Sequence, residues 1–162
     1  MTIKKLLIAN RGEIASRIIS SSHDMGISCV AIYTEADKDT PYVREADQAF
    51  KLSDSYLNSK EILDIALKSN SDAIHPGYGF LSENAAFANQ VKKLNIKWVG
   101  PSSNAIKKMG DKLTAKEIAI KANVPTLPMT SDPKKANSIG YPILVKAAAG
   151  GGGKGMRIVE KA

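Results

Sequence analysis

The chain has 162 residues, of which 43% are hydrophobic and 24% are charged, and it carries one cysteine and a net charge of +7. This is the composition of an ordinary globular protein, large enough for one domain or for one domain and part of another. A single cysteine excludes an internal disulfide and a cluster of thiolate ligands, and no apolar run approaches the ~18 residues of a membrane span. The first residues are interrupted by charge too early for a signal peptide, so we expect a cytoplasmic protein with no membrane partner.

The charge is unevenly distributed along the chain. Residues 1–80 hold nine Lys/Arg and eleven Asp/Glu, whereas residues 81–162 hold fourteen and five. Nucleic-acid binding proteins usually combine such a basic half with aromatic strands or an arginine cluster, and neither is present here. We therefore expect no nucleic-acid partner, and we assign most of these lysines to solvated helix faces and a few to the attraction of a polyphosphate.

The N-terminal pattern predicts a βαβ unit. Residues 3–9 and 29–33 are typical of buried strands, and residues 13–24 have helical periodicity, with Gly26 at the position expected after a helix C-terminus. The right-handed crossover rule makes the two strands parallel. An acidic residue after the second strand is a possible ribose anchor for a dinucleotide, but the first turn has only Gly12, so we predict a Rossmann-like shape without a dinucleotide.

The alternation of strands and helices continues. We predict further strands at 48–52, 73–74 and 97–99 and helices at 59–68 and 84–93, the first of these helices capped by Ser59. Another helix follows Ser102, and Asp111 is a good N-cap for a helix that ends near residue 122. Residues 1 to about 110 are thus expected to form a parallel sheet of at least four strands with helices on both faces.

Two features in this region suggest a ligand. The loop from His75 to Phe80 follows a strand at the edge where open α/β sheets bind ligands. In it, His75 is either a base or a structural hydrogen-bonding group, and Tyr78 is either a ligand contact or an ordinary turn tyrosine. Lys112 lies in the first turn of its helix, where a cation is unfavourable unless it joins the helix N-terminus in facing an anion.

Residues 141–159 predict a strand, a glycine-rich loop and a second strand. Four adjacent glycines at 150–153 let backbone N–H groups approach an anion closely, although a flexible hairpin tip is the simpler alternative. The Walker A pattern fails twice, and the Rossmann string is present but does not open a helix. Strand alternation places Leu144 and Lys146 on one face, where they can contact an apolar base and a phosphate. We expect residues 141–159 to stay out of the N-terminal sheet.

At this point the sequence resembles a known family. Five strings occur in the order and approximate spacing of biotin carboxylase, and they span the whole chain: IANRGEIA at 8–15, AIHPGYGFLSEN at 73–84, VGP at 99–101, MGDK at 109–112 and KAAAGGGGKGMRIV at 146–159. The last string looks closest to alpha subunits of acyl-CoA carboxylases, including acetyl-CoA carboxylase of fatty acid metabolism. Pyruvate carboxylase shares these strings.

The resemblance implies an α/β fold in which a Rossmann-like pre-ATP-grasp domain, residues 1–110, precedes the start of an ATP-grasp domain, residues 111–162. It implies ATP, Mg²⁺ and carrier-bound biotin as the reacting groups of the parent enzyme. The positions similar to the family's ATP contacts are two phosphate lysines, two adenine contacts and two flap glycines: Lys112, Lys146, Leu144, Met156, Gly152 and Gly153. Tyr78 and Gly79 resemble the loop beside biotin, and Arg17 resembles a dimer-interface position.

The same resemblance implies a biotin carboxyl carrier protein and a carboxyltransferase as partners, and a homodimer of the parent enzyme. In the family, the magnesium ligands and the catalytic base come after the position of Ala162. We therefore expect a partial gene product with no catalytic residue and no metal ligand of its own, inactive alone. The alternatives are part of another ATP-grasp ligase, of pyruvate carboxylase or carbamoyl-phosphate synthetase type, or a non-catalytic nucleotide-binding module.

Overall fold

The computed structural model describes residues 2–146 and 155–162. The chain divides into two compact units, Met1–Lys107 and Lys108–Ala162. None of the described helices combines the length and the apolar character that crossing a bilayer requires.

The first unit is built from alternating strands and helices. Its strands are β1 (Lys5–Ile8), β2 (Ser28–Tyr33), β3 (Gln48–Lys51), β4 (Ala73–His75) and β5 (Lys97–Trp98). Its helices are α1 (Gly12–Asp24), α2 (Pro41–Glu45), α3 (Ser59–Lys68), α4 (Ala85–Lys93) and α5 (Ser103–Gly110), the last of which begins in this unit, and there are short 3-10 turns at Glu35–Asp37 and Phe80–Glu83.

All five strands are parallel and lie in the order β3-β2-β1-β4-β5. In the centre, Leu7 lies opposite Val30 on one side and Ile74 on the other. The prediction of a parallel sheet with at least four strands is confirmed. After β1 the chain adds β2 and β3 on one side of it and then β4 and β5 on the other. The order of strand addition therefore reverses between β1 and β4, and open α/β sheets form a ligand crevice at such a reversal.

Two hydrophobic cores lie on the two faces of this sheet. Leu7 and Ile74 belong to the core that is covered by α3, α4 and α5, whereas Leu6 and Ile8 belong to the core that is covered by α1 and α2. Strand alternation explains this division, since successive side chains point to opposite faces. Helices therefore cover both faces, as the sequence predicts, and each fully buried leucine or isoleucine stabilises the unit by about 1.5–3 kcal/mol.

Two local predictions were wrong. The cap of α3 is Asn58, whose side chain accepts a hydrogen bond from the backbone N–H of Glu61 at 3.2 Å, and Ser59 is the first helical residue. Both residue types cap helices well, so the sequence alone does not distinguish two adjacent candidates. The five-residue helix α2 was missed, since it is too short to show a helical period.

The second unit contains little regular structure. Helix α6 (Lys112–Lys121) is capped by Asp111, which accepts from the backbone N–H of Thr114 at 2.7 Å, as predicted. A 3-10 turn at Pro133–Ser138 precedes β6 (Ile143–Val145) and β7 (Arg157–Val159), which pair antiparallel in a two-stranded sheet of their own.

The prediction that the hairpin stays out of the N-terminal sheet is thus confirmed. No residue that the structure describes in the second unit is buried. Several large apolar side chains there lie in solvent, among them Ile120, Leu127 and Ile158, which are 56%, 84% and 68% exposed.

Candidate functional site

The loop after β4 is fastened to the end of β1 by one buried amide. Asn10 is fully buried, and its side-chain N–H₂ group donates to the carbonyl oxygens of Pro76 at 2.7 Å and Tyr78 at 2.9 Å. Its side-chain oxygen accepts from the backbone N–H of Arg11 at 2.9 Å. Because a buried amide must satisfy its polar atoms, this arrangement fixes the loop against the first strand.

Two glycines give the loop its shape. Gly77 has a φ of +63°, and a Cβ built on it would stand 2.6 Å from the side-chain nitrogen of Asn10 and 2.7 Å from Cγ2 of Ile14. Gly79 has φ +68° and ψ −164°, a region that is accessible essentially to glycine alone. The chain therefore turns closely over Asn10 and presents the backbone of Gly79 with no side chain above it.

Tyr78 lies between these glycines with its ring in solvent. The residue is 59% exposed, and its hydroxyl donates to Oε1 of Glu13 at 2.6 Å. This hydrogen bond to the carboxylate raises the pKa of Tyr78, so the phenol stays protonated. The structure thus anchors the hydroxyl and leaves a flat apolar surface open, which suits a ligand contact.

His75 has a structural hydrogen bond. Its Nδ1 accepts from the backbone N–H of Gly77 at 3.0 Å, so the proton of the neutral ring is on Nε2. Burial first, and then the positive charge of Arg17, lowers the pKa of His75. Of the two hypotheses for this residue, the geometry favours the structural one.

The lowered pKa of His75 predicts a loss of stability in acid. The unfolded chain takes up a proton near pH 6.5, whereas the folded ring resists it. The stability that is present above about pH 6.5 therefore declines as the pH falls toward the folded pKa. We expect wild type to lose more unfolding free energy than His75→Gln between about pH 7.5 and pH 5.5, measured by urea titration. Parallel losses in the two proteins would contradict the assignment.

The acidic residues after β2 are occupied by the protein itself. Oδ1 of Asp37 pairs with Nη2 of Arg11 at 2.8 Å, and its Oδ2 accepts from the hydroxyl of Tyr56 at 2.7 Å. Glu35 forms ion pairs with Lys38 and Lys51. Asp37 is buried and both its oxygens are engaged, so its carboxylate holds the loop after β2 in place.

In the second unit, the structure describes four of the six predicted ATP contacts. Lys112 is the first residue of α6, and Lys146 directly follows β6. Leu144 and Met156 are 46% and 40% exposed, so their side chains are available to an apolar ligand. Gly152 and Gly153 lie outside the described residues.

The structure brings three of the predicted residues of the first unit into one neighbourhood. Tyr78 and Gly79 are adjacent in the loop, and Arg17 of α1 is close enough for its charge to contribute to the lowered pKa of His75 and to oppose in small part the rise in the pKa of Tyr78 that Glu13 causes. Sequence reasoning treated Arg17 as a separate interface position. It also missed Asn10 and Glu13 as the residues that hold the loop, although a polar residue directly after a buried strand is a signal for such a role.

Two known families match the chain, and their matches meet close to the boundary between the two compact units. Residues 2–106 match the family described as "Biotin carboxylase, N-terminal domain", and residues 102–162 match "Carbamoyl-phosphate synthase L chain, ATP binding domain". The fold is therefore a Rossmann-like parallel-sheet domain followed by the start of an ATP-grasp domain, the arrangement of an ATP-grasp ligase. The chain belongs to the biotin carboxylase family, whose members are biotin-dependent ligases.

Relatives of known description cover nearly the whole chain. It is 49% identical to the biotin-dependent acyl-coenzyme A carboxylase alpha3 subunit of Mycobacterium leprae over 98% of its length, and 48% identical to a pyruvate carboxylase subunit of Methanothermobacter thermautotrophicus over 96%. It spans only 29% and 34% of the lengths of these two relatives. The two identities are too similar to separate an acyl-CoA carboxylase from a pyruvate carboxylase.

A solved structure shows the same fold. The biotin carboxylase domain dimer of 2-oxoglutarate carboxylase from Hydrogenobacter thermophilus superposes with a TM-score of 0.91 at 44% identity, over 99% of this chain and 38% of that one. That protein was solved in complex with MgADP, ADP and bicarbonate.

Proposed function

We propose that this chain is the N-terminal part of a biotin carboxylase, in which ATP and bicarbonate are used to carboxylate biotin on a carrier protein. The observation that carries the proposal is the continuous family match, which runs from the N-terminal domain into the ATP-binding domain in the family's order. The chain spans 29% and 34% of the lengths of the two relatives named above. We therefore propose the activity for an enzyme that contains these residues and not for residues 1–162 alone.

We assign the ATP half of the site to the second unit. A lysine at the N-terminus of α6 and a lysine at the end of β6 are suited to phosphate, because ammonium groups make charge-assisted hydrogen bonds to phosphate oxygens. Leu144 and Met156 offer exposed apolar surface for adenine. Gly152 and Gly153 complete this proposal as the flap over the phosphates.

The residues that the structure describes do not form a site suited to Mg²⁺. Among them, one group of three His, Cys, Asp or Glu side chains has its donor atoms close together, and it consists of a nitrogen, a sulfur and an oxygen donor from His23, Cys29 and Asp47. Mg²⁺ requires an octahedral shell of oxygen ligands. We therefore propose that the magnesium ligands lie outside residues 1–162 of the parent enzyme, and the family resemblance implies the same for the catalytic base.

We assign the biotin half to Tyr78 and Gly79. In a full-length biotin carboxylase that carries this chain, Tyr78→Ala is expected to raise the KM for free biotin about two- to tenfold, since an aromatic contact is worth about 0.5–1.5 kcal/mol, and to leave the KM for ATP unchanged. Tyr78→Phe keeps the ring and loses only the hydrogen bond to Glu13, so it should show a smaller effect. Equal rises in both KM values would contradict the assignment.

We further propose that the parent enzyme is an acyl-CoA carboxylase alpha subunit, with a biotin carboxyl carrier protein and a carboxyltransferase as partners. The glycine-rich string supports this, and the pyruvate carboxylase relative makes pyruvate the second candidate. Arg17, exposed on α1, is proposed as part of a homodimer interface. Carboxylation assays with acetyl-CoA, propionyl-CoA and pyruvate in the reconstituted system distinguish the two candidates.

The chain alone is expected to be inactive. Two lysines and a glycine loop position phosphates but supply neither magnesium ligands nor a base, and catalysis needs both. Purified residues 1–162 should therefore carboxylate free biotin no faster than a blank, measured by ¹⁴C-bicarbonate fixation. ADP release from the purified chain that depends on bicarbonate would contradict the proposal.

A further inference from the structure

Three side chains with metal-ligating groups meet at the amino edge of the parallel sheet. His23 lies in the last turn of α1, Cys29 is the second residue of β2, and Asp47 directly precedes β3. The loop that contains Tyr78 follows the carboxyl end of β4, so this cluster lies at the opposite edge of the sheet. None of the three residues has a role in the proposed carboxylase site.

The donor atoms are close to the spacing of a tetrahedral metal site. No two of the three donor atoms are more than 4.8 Å apart, and Nε2 of His23 lies 3.0 Å from Oδ2 of Asp47. Bond lengths of about 2.0–2.3 Å for zinc require donor atoms roughly 3.2–3.7 Å apart in a tetrahedron. Closing the largest separation within this bound to a coordinating one therefore takes a change of roughly 1.1–1.6 Å, shared between two side chains.

The backbone already holds one of these groups in place. Oδ2 of Asp47 accepts from the backbone N–H of Cys29 at 2.7 Å, which brings the carboxylate next to the cysteine. The same oxygen lies 3.0 Å from Nε2 of His23, so this carboxylate connects the other two residues. Little reorganisation is needed to present an oxygen ligand.

Burial and charge suit a cation that is partly open to solvent. Cys29 is fully buried, whereas the side chains of His23 and Asp47 are 41% and 46% exposed. A metal would thus be closed on the protein side and reachable by a water molecule on the other. One thiolate and one carboxylate neutralise a divalent cation, so the bound site has no net charge.

We propose that His23, Cys29 and Asp47 bind one Zn²⁺ through Nε2, Sγ and a carboxylate oxygen, with water as the fourth ligand. The nitrogen, sulfur and oxygen donor set suits zinc, which takes all three. On binding, the cysteine thiol loses its proton to solvent as the Zn–S bond forms. The metal would join the end of α1 to β2 and to the residue before β3, so its binding should stabilise the fold without ATP or biotin.

The test uses the untagged, reduced and chelator-treated chain of 162 residues, dialysed against Zn²⁺ and measured by elemental analysis. We expect one zinc per chain, and with Co²⁺ as a probe we expect a thiolate charge-transfer absorption. His23→Gln and Asp47→Asn should each weaken zinc affinity at least tenfold; asparagine can still accept from the N–H of Cys29, so the fold is retained. Asp24→Asn, an exposed acidic neighbour, removes the same charge and should bind zinc as wild type does.

Stability gives a second readout. At free Zn²⁺ about a hundredfold above its Kd, the folding equilibrium constant of wild type should rise about a hundredfold, and that of His23→Gln should rise much less. His23 is exposed, so this variant can be compared even if a change at the buried Cys29 impairs folding. Failure to bind zinc, binding that His23→Gln leaves intact, or cobalt binding without the thiolate absorption would each overturn the proposal.

Discussion

Replacing Lys146 by methionine in a full-length biotin carboxylase that carries this chain is expected to raise the KM for ATP about ten- to a hundredfold. Lys146 directly follows β6 and lies two residues after Leu144, so strand alternation predicts that both side chains face the same way. A charge-assisted hydrogen bond to phosphate is worth about 1.5–3 kcal/mol, and its loss accounts for the expected change. Methionine keeps most of the apolar stem, so the fold should remain intact.

Two lysines provide the comparison. Lys154 lies outside the described residues; from its sequence position between glycines we predict that it is freer to face water, so Lys154→Met should cost much less ATP affinity. Lys135 is an exposed lysine of the 3-10 turn in the same unit, and Lys135→Met controls for the loss of one positive charge. Steady-state kinetics measures the KM for ATP of each variant, and equal melting temperatures show that the variants are equally stable. A larger effect at Lys154 than at Lys146 would mean that the phosphate lysine was assigned to the wrong side of the loop.

Gly77→Ala is expected to lower the free energy of unfolding of the chain by about 2–5 kcal/mol, the sum of a backbone cost and an overpacking cost. Its φ is +63°, which costs an L-residue about 1–2 kcal/mol. The added Cβ would also stand 2.6 Å from the side-chain nitrogen of Asn10, which is buried and bonded to two carbonyls of the loop. Such overpacking costs about 1–3 kcal/mol. Urea unfolding of the purified variant and wild type measures the difference.

Gly26→Ala is the matched control for this prediction. Gly26 has a similar φ of +70°, but nothing lies within 4 Å of the position that a Cβ would take. Its replacement should therefore cost only the backbone part, about 1–2 kcal/mol. If the two variants lose the same stability, the close contact between Gly77 and Asn10 contributes nothing, and the loop is not clamped as the structure indicates.

The parallel sheet could be predicted from sequence because its signals are local. Val30 and Ile32 lie in a short apolar run bounded by turn residues, and the run alternates with helical patterns that end at glycine or begin at a capping residue. Asp111 was recognised as a cap for the same reason, since its partner Thr114 lies three residues away. The structure confirmed these elements to within a few residues.

The clamp on the loop could not be predicted in this way. Asn10 contacts Pro76 and Tyr78 across 66 and 68 residues of chain, and no local pattern records a partner at that distance. Only the register of β1 against β4, which places Ile8 opposite His75, brings the amide under the loop. The proximity of Arg17 to this loop has the same origin, because α1 packs beside β1.

The ATP residues were predicted from family resemblance more than from physics. Period-2 alternation predicts Leu144 and Lys146 on one face; β6 contains Leu144 but ends at Val145, so the placement of Lys146 stays a prediction. The roles of Lys112 and Met156, however, depend on a ligand that local sequence does not encode. An exposed lysine in a first helical turn is ordinary unless something negative lies in front of it.

The burial pattern has a consequence for biosynthesis. Ile106 is the last residue in either hydrophobic core, and the described residues after it contribute nothing to those cores. Domains generally fold as units in the order of their synthesis, so the N-terminal unit has every side chain that it needs once the ribosome has released about 110 residues. Leu127 and Ile158, in contrast, belong to neither of these cores and are exposed among the residues that the structure describes. The five-stranded sheet can therefore form before the segment that follows residue 107 has left the ribosome.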